Sequence, residues 1–349
     1  MSQIAIIGAG AWGTALSIVL ARKGRHRVWL WAYEKEVGDA IASSRMNSLF
    51  LQDQRIPDSV LATGSLEEAL SDAEIVVSAM PSQHCRRLCQ EIVPHLRPEM
   101  LVVSATKGLE QTTFLRMTEV IDLITSERGA HCRVGALSGP TFAAEVARGD
   151  PTAITIASRD AGLTVIVQQE FSDPAFRVYT NDDVVGVELG GALKNIIAIA
   201  AGVCHGLGLG HNSVAALITR GLAETTRLAM ACGARAETMS GLAGLGDLVL
   251  TCTGALSRNR SVGVELGRGR KLPEIVSGMH GMVAEGIFTT RAAMQLARAH
   301  GVEMPITEQM HAILNEGKSP RHAITDLMSR TSKSELHLPA ANAGWGKLP

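Results

Sequence analysis

The sequence predicts an α/β protein in two parts: a doubly wound, mostly parallel sheet, then an all-α half. Three observations carry this reading. Short apolar strands alternate with helical stretches through the first half, as in successive βαβ units. A glycine-rich turn joins the first strand to the first helix. Beyond Asn181-Asp182-Asp183 the strand signal disappears and helix periodicity takes over.

Taken in order, residues 4–7 (IAII) form a short apolar strand and Ala11–Arg22 a helix closed by Gly24. Strands follow at 27–31 (RVWLW), 74–79 (EIVVSA), 101–105 (LVVSA), 134–137, 153–157 and 176–179, with helical stretches between most of them. The second half is broken by glycine-rich segments at 206–210 and 241–246. The division expected is a dinucleotide-binding domain at 1–181, a helical substrate domain at 182–335 and a loose tail at 336–349.

Bulk properties agree with two cores. A chain of 349 residues is too long for one. With 46% apolar and 19% charged residues, wholesale disorder is excluded. The net charge of -1 leaves no basic excess for a nucleic-acid groove or an anionic membrane, although a small charged ligand needs only a local patch. Six cysteines without CxxC or zinc spacing read as reduced thiols, with no metal site. Residues 4–21 carry no charge, yet glycines interrupt them and no basic stretch precedes them. They read as neither signal peptide nor anchor, so a cytoplasmic location and no integral membrane segment are expected.

Gly8-Ala9-Gly10-Ala11-Trp12-Gly13 is a GxGxxG pattern between a strand and a helix. The first glycine makes the tight turn, the second admits a pyrophosphate and the third lets helix and strand approach. The helix N-terminus offers free N–H groups to phosphate. This is the Rossmann-like signature, and it implies NAD or NADP. Glu34 lies 21 residues past Gly13, near the spacing of a ribose 2′-hydroxyl acceptor, which leans toward NAD. Lys35 is adjacent, and Arg45 and Arg55 follow.

Lys194 is the one charged residue between Leu189 and Gly202, in LGGALKNIIAIAAG. A lysine there either snorkels to the surface or has a partner and a task, because an unpaired buried ammonium costs several kcal/mol. Lys107 follows the strand at 101–105, where doubly wound sheets bind ligands; by itself it also fits an exposed strand-end lysine. The segment 138–143 (SGPTFA) is, by itself, a turn with a hydroxyl. Asp247 follows a flexible glycine break. Ser257-Arg258-Asn259-Arg260 groups two cations and an amide, and is either a phosphate clamp or a solvated helix start. Spacing says nothing about Glu285.

Together GAGAWGTAL (8–16), ATKGLE (105–110), SGPTFA (138–143), ELGGALKNIIAIAAG (188–202), NSVAALITRGLAE (212–224), GLAGLGDLVLTCTG (241–254), SRNR (257–260) and VAEG (283–286) resemble the bacterial-type NAD(P)-dependent glycerol-3-phosphate dehydrogenases. The resemblance implies reversible reduction of dihydroxyacetone phosphate to sn-glycerol 3-phosphate, supplying phospholipid synthesis. It implies Lys194 as proton donor and acceptor, aided by Lys107 and Asp247. The implied substrate contacts are Lys107, Gly139, Thr141, Lys194, Asp247, Ser257, Arg258 and Asn259. The implied cofactor contacts are Gly8, Gly10, Ala11, Trp12, Gly13, Tyr33, Lys107, Ala143, Arg258, Val283 and Glu285. Ala11 stands where many members carry serine, and Tyr33 where histidine or arginine is common, so the choice between NAD and NADP stays open. A homodimer is expected. The alternative is a related dehydrogenase acting on a hydroxy acid.

Overall fold

A computed structural model describes residues 2–279, 283–332, 334 and 335. The expected tail at 336–349 lies outside the described residues. Ten strands precede the long helices: β1 (Ser2–Ile7), β2 (His26–Trp31), β3 (Met46–Asn47), β4 (Leu51–Arg55), β5 (Val60–Thr63), β6 (Ile75–Ser78), β7 (Leu101–Ser104), β8 (Arg133–Ser138), β9 (Thr152–Ala157) and β10 (Phe176–Asn181).

Eight of them form one sheet in the order β10-β9-β8-β7-β6-β1-β2-β5. Every neighbouring pair is parallel except β8 and β9. From β5 to β8 this is the strand order of a doubly wound dinucleotide fold, with its switch point between β1 and β6. The apolar run of β1 has a direct cause. Ile4 and Ile6 pack into the core on one face of the sheet, and Ala5 and Ile7 into the core on the other. A parallel strand covered on both faces loses the polar half of the usual alternation.

Two elements were not legible in the sequence. The antiparallel β3–β4 hairpin and edge strand β5 occupy 46–63; β4 is mostly polar and β5 is only four residues long. The hairpin reaches the glycine loop through Asn47. Its buried Nδ2 donates to the Ala9 carbonyl and to Thr14 Oγ1, both at 2.8 Å.

After β10 the chain turns into the helix Val184–Gly206. Asp183 starts it as an N-cap: Oδ1 accepts from Gly186 N at 2.8 Å, while Oδ2 accepts from Arg235 N at 2.8 Å. By length and composition this helix could cross a membrane, yet 89% of its apolar window is buried inside the protein. Helices Arg258–Gly267, His211–Ala231, Asp247–Thr253 and Glu285–Ala299 surround it. Its apolarity therefore reflects a core position.

Glycines on both partners bring Val184–Gly206 and Arg258–Gly267 together. A Cβ at Gly202 would stand 2.0 Å from the Arg260 carbonyl oxygen, and one at Gly263 would stand 1.9 Å from the Ile199 carbonyl oxygen. Gly206 and Gly267 repeat the contact one turn on. The two backbones touch, and no side chain fits between them. Gly263→Ala is expected to cost about 1–3 kcal/mol, the usual range for overpacking, read as a lowered denaturant midpoint. Gly210→Ala meets nothing within 4 Å and serves as the neutral control.

Candidate active site

The dinucleotide loop is built as its three glycines require. Gly8 has φ +121, and a Cβ there would meet the Ala79 carbonyl oxygen at 2.7 Å. A Cβ at Gly13 would meet the Gly8 carbonyl oxygen at 1.9 Å. Gly10 differs, because a Cβ there meets nothing within 4 Å. The first and third glycines are demanded by the fold; the second leaves open space against the N-terminus of Ala11–Arg22. Gly10 caps that helix without any side-chain hydrogen bond, so its first N–H groups remain available. Trp12 Nε1 is buried with no hydrogen-bond partner. These features fit a pyrophosphate. Ala11 and Trp12 open the helix at this loop, and Tyr33 lies beyond β2 with 63% of its surface exposed.

Lys194 does not reach the surface. It is 7% exposed at mid-helix, and its Nζ donates to Asp247 Oδ1 at 2.8 Å and to Thr251 Oγ1 at 2.6 Å. Asp247 Oδ2 accepts from Lys107 Nζ at 2.6 Å, and Lys107 Nζ also donates to the Gly139 carbonyl at 2.9 Å. One carboxylate, 1% exposed, thus joins the lysine of the sheet half to the lysine of the helical half. Burial brings the Lys194 pKa down to about 8; Lys107 adds to that, while the attraction and hydrogen bond of Asp247 oppose it.

Local structure explains the placement of Asp247. Leu242–Gly246 forms a π-helical turn, followed by the α-helix Asp247–Thr253. The turn can press against the lysine helix because position 190 is glycine: a Cβ there would stand 2.7 Å from the Ala243 carbonyl oxygen. π-Turns recur at functional sites. Lys107 is set by the loop after β7. Downstream in that loop, Glu110 accepts from Arg86 Nε and Nη2 at 2.7 and 2.8 Å.

The remaining expected residues lie on several elements of both halves. Gly139, Thr141 and Ala143 follow β8, and Thr141 Oγ1 donates to the Gly139 carbonyl at 3.2 Å. Ser257 is the N-cap of Arg258–Gly267, its Oγ accepting from Arg260 N at 3.2 Å. Asn259 donates Nδ2 to Asn195 Oδ1 at 3.0 Å and accepts from Gly286 N at 2.9 Å. Arg258 is exposed, with no hydrogen bond or ion pair among the described residues. The Glu285 carboxylate accepts from Ser82 N, Ser82 Oγ and Gln83 Nε2 at 3.1, 2.6 and 3.0 Å. It therefore ties the start of its helix to the turn after β6. Val283 lies just before Ala284, the N-cap of that helix.

Sequence reasoning missed Thr251 and Asn195. Thr251 stands four residues after Asp247, one helical turn on, and that spacing was the available signal. Nothing local marks Asn195.

A doubly wound sheet with an open phosphate cradle, facing a buried lysine on a helical half, defines a dinucleotide-dependent dehydrogenase. Residues 3–164 match the family model for the NAD-dependent glycerol-3-phosphate dehydrogenase N-terminus, and residues 183–325 match that for its C-terminus. The chain belongs to the NAD(P)-dependent glycerol-3-phosphate dehydrogenase family. It is 67% identical to the glycerol-3-phosphate dehydrogenase [NAD(P)+] of Koribacter versatilis over 97% of this chain and all of that one. The Acidobacterium capsulatum protein of the same name is 54% identical over 96% of this chain and all of its own. The crystal structure of glycerol-3-phosphate dehydrogenase from Coxiella burnetii superposes with a TM-score of 0.89 at 40% identity, covering 94% of this chain and 99% of that one.

The open space at Gly10 gives a direct test of the cradle. Gly10→Val is expected to keep the melting temperature while abolishing NADH binding in a fluorescence titration. Gly13→Val should lower the melting temperature instead.

Proposed function

We propose that this chain reversibly reduces dihydroxyacetone phosphate to sn-glycerol 3-phosphate with NADH or NADPH. The observation that carries the reading is Lys194, an ammonium inside an apolar helix, held on Asp247 and Thr251, with a pKa near 8. A proton donor matched to neutral pH suits reduction of a ketone. Lys107, Lys194 and Asp247 together leave one positive charge unbalanced, while the charge of Arg258 is met by the nearby Glu285 carboxylate. That excess favours an anionic substrate. The relatives' names agree with this reading.

In this scheme residues 1–181 hold the dinucleotide. Gly8, Gly10, Ala11, Trp12 and Gly13 would hold the pyrophosphate, and Tyr33 would lie on the adenosine side. Lys107, Ala143, Arg258, Val283 and Glu285 complete the contacts. Residues 182–335 supply the acid–base group. The nicotinamide supplies the hydride. Protonated Lys194 donates to the ketone oxygen as negative charge develops there, and the neutral amine accepts the proton in the reverse direction. Lys107 stabilises the same oxygen electrostatically. Asp247 holds both ammonium groups in place. Thr251 accepts from Lys194 while its hydroxyl donates to the Asp247 carbonyl at 2.6 Å, which aims the amine. Arg258 takes the substrate phosphate, with Gly139, Thr141, Ser257 and Asn259 around it. Remote phosphate binding then orients the reacting carbon. The protein acts as a cytoplasmic homodimer that supplies glycerol phosphate for phospholipid synthesis.

Lys194→Ala should lower kcat by on the order of 10²–10⁴ while NADH still binds; near wild-type turnover would overturn the assignment. The donor form of Lys194 exists below its pKa. Ketone reduction should therefore decline as pH rises through about 8, and glycerol phosphate oxidation should rise over the same interval. Arg258→Ala should raise KM for dihydroxyacetone phosphate roughly tenfold or more, as loss of a hydrogen-bonded charge pair implies. An unchanged KM counts against the phosphate clamp.

A further inference from the structure

The site as described leaves the 2′ position of the adenosine ribose without a reader. In dinucleotide folds an acid about twenty residues beyond the third glycine accepts the 2′-hydroxyl of NAD, whereas a nearby arginine takes the 2′-phosphate of NADP. Here the residue twenty positions after Gly13 is Tyr33. Its exposed ring lies 6.1 Å from the Trp31 ring, just past the carboxyl end of β2. Glu34 is one residue further on. It is the extended N-cap of the next helix and is less exposed than Tyr33.

Three cations close to β2 in sequence have nearer partners, Arg45 in backbone carbonyls and Lys35 and Arg55 in short, exposed pairs. Lys35 Nζ is 2.6 Å from Asp39 Oδ2, one helical turn away. Arg45 donates Nη2 to the carbonyls of Pro57 and Val60, and Nε to that of Ile56. Arg55 is paired with Asp58 at 3.1 Å. The cation that does reach this end of the sheet comes from the helix Cys85–Ile92, which follows β6 across the switch point. Arg87 Cζ stands 5.5 Å from the centroid of the Tyr33 ring. Its side chain is 52% exposed, and among the described residues its one ion-pair contact, to Glu91 Oε1, is 3.8 Å long. A contact of that length between exposed groups holds a guanidinium weakly. Stacking on an aromatic face orients the fork while leaving its N–H donors free.

We propose that Arg87, carried on Tyr33, reads the 2′-phosphate and turns this chain toward NADPH. The proposal rests on the reading of the chain as a dinucleotide-dependent dehydrogenase. Guanidinium and phosphate meet in paired, charge-assisted hydrogen bonds that a 2′-hydroxyl cannot supply.

Two measurements test it. In the first, 2′,5′-ADP and 5′-AMP are titrated against the wild-type chain, Arg87→Ala, Arg87→Lys and Lys35→Ala. The expected result is tighter binding of 2′,5′-ADP by the wild type. Arg87→Ala should lose that advantage by roughly tenfold or more; Arg87→Lys should keep part of it and Lys35→Ala all of it. In the second, the ratio of kcat/KM for NADPH to that for NADH should fall by a similar factor in Arg87→Ala. An unchanged ratio and unchanged 2′,5′-ADP preference in Arg87→Ala overturn the proposal, as does a loss produced by Lys35→Ala instead. Should neither reduced cofactor be oxidised with dihydroxyacetone phosphate, the substrate reading fails. The 2′,5′-ADP titration then still decides the role of Arg87.

Discussion

The structure depends on one carboxylate. Asp247 is buried, and each of its oxygens accepts from a different ammonium, Lys194 on one side and Lys107 on the other. Charges so far from water are tolerated only with close partners and satisfied hydrogen bonds. The same contact joins the sheet half to the helical half, so the site is assembled only where the two meet. Burial lowers the pKa of Lys194 and Asp247 restrains the shift, leaving an amine that changes charge near neutral pH. In the proposed reaction one arrangement therefore serves both as structural joint and as acid–base centre.

That arrangement requires backbones to come closer than side chains normally permit. Gly190 lets the π-turn before Asp247 rest on the lysine helix, and the paired glycines 202, 206, 263 and 267 set the helix carrying Arg258 directly against it. Asn259, bridging Asn195 and the N–H of Gly286, then fixes the start of Glu285–Ala299. Glu285 in turn latches onto Ser82 and Gln83 after β6. A third link between the halves runs through buried Glu188, which accepts from Arg116 Nη1 at 2.6 Å and from Thr118 N at 2.9 Å. The helical half is thus tied to the carboxyl ends of the strands, where a doubly wound sheet binds its ligands.

Much of this was legible in the chain. The apolar runs of β1, β6 and β7, buried on both faces, announce a parallel sheet because nothing in them needs to be polar. The glycine fingerprint announces the cradle because its first and third positions are steric requirements of the fold. The lone lysine between Leu189 and Gly202 announces a candidate reactive group, because an ammonium buried there needs a partner or a task. The β3–β4 hairpin and β5 were hidden, since strands of two to five residues are too short to show a period. Asn195 was hidden because its partner lies 64 residues away, and Thr251 was marked only by its one-turn spacing from Asp247.

What the sequence determined by itself was local: which segments are strands or helices, where a dinucleotide can approach the backbone, and that Lys194 is out of place unless it has a partner. The tertiary structure decided the relations between distant residues. It chose a buried ammonium on Asp247 over a snorkelling one, gave Ser257, Asn259 and Glu285 hydrogen-bonding tasks within the fold, and brought Arg87 onto Tyr33 while nearer cations were engaged elsewhere. The physical reason is that periodicity and turn chemistry act over a few residues, whereas charge pairing and desolvation depend on which surfaces the folded chain presses together.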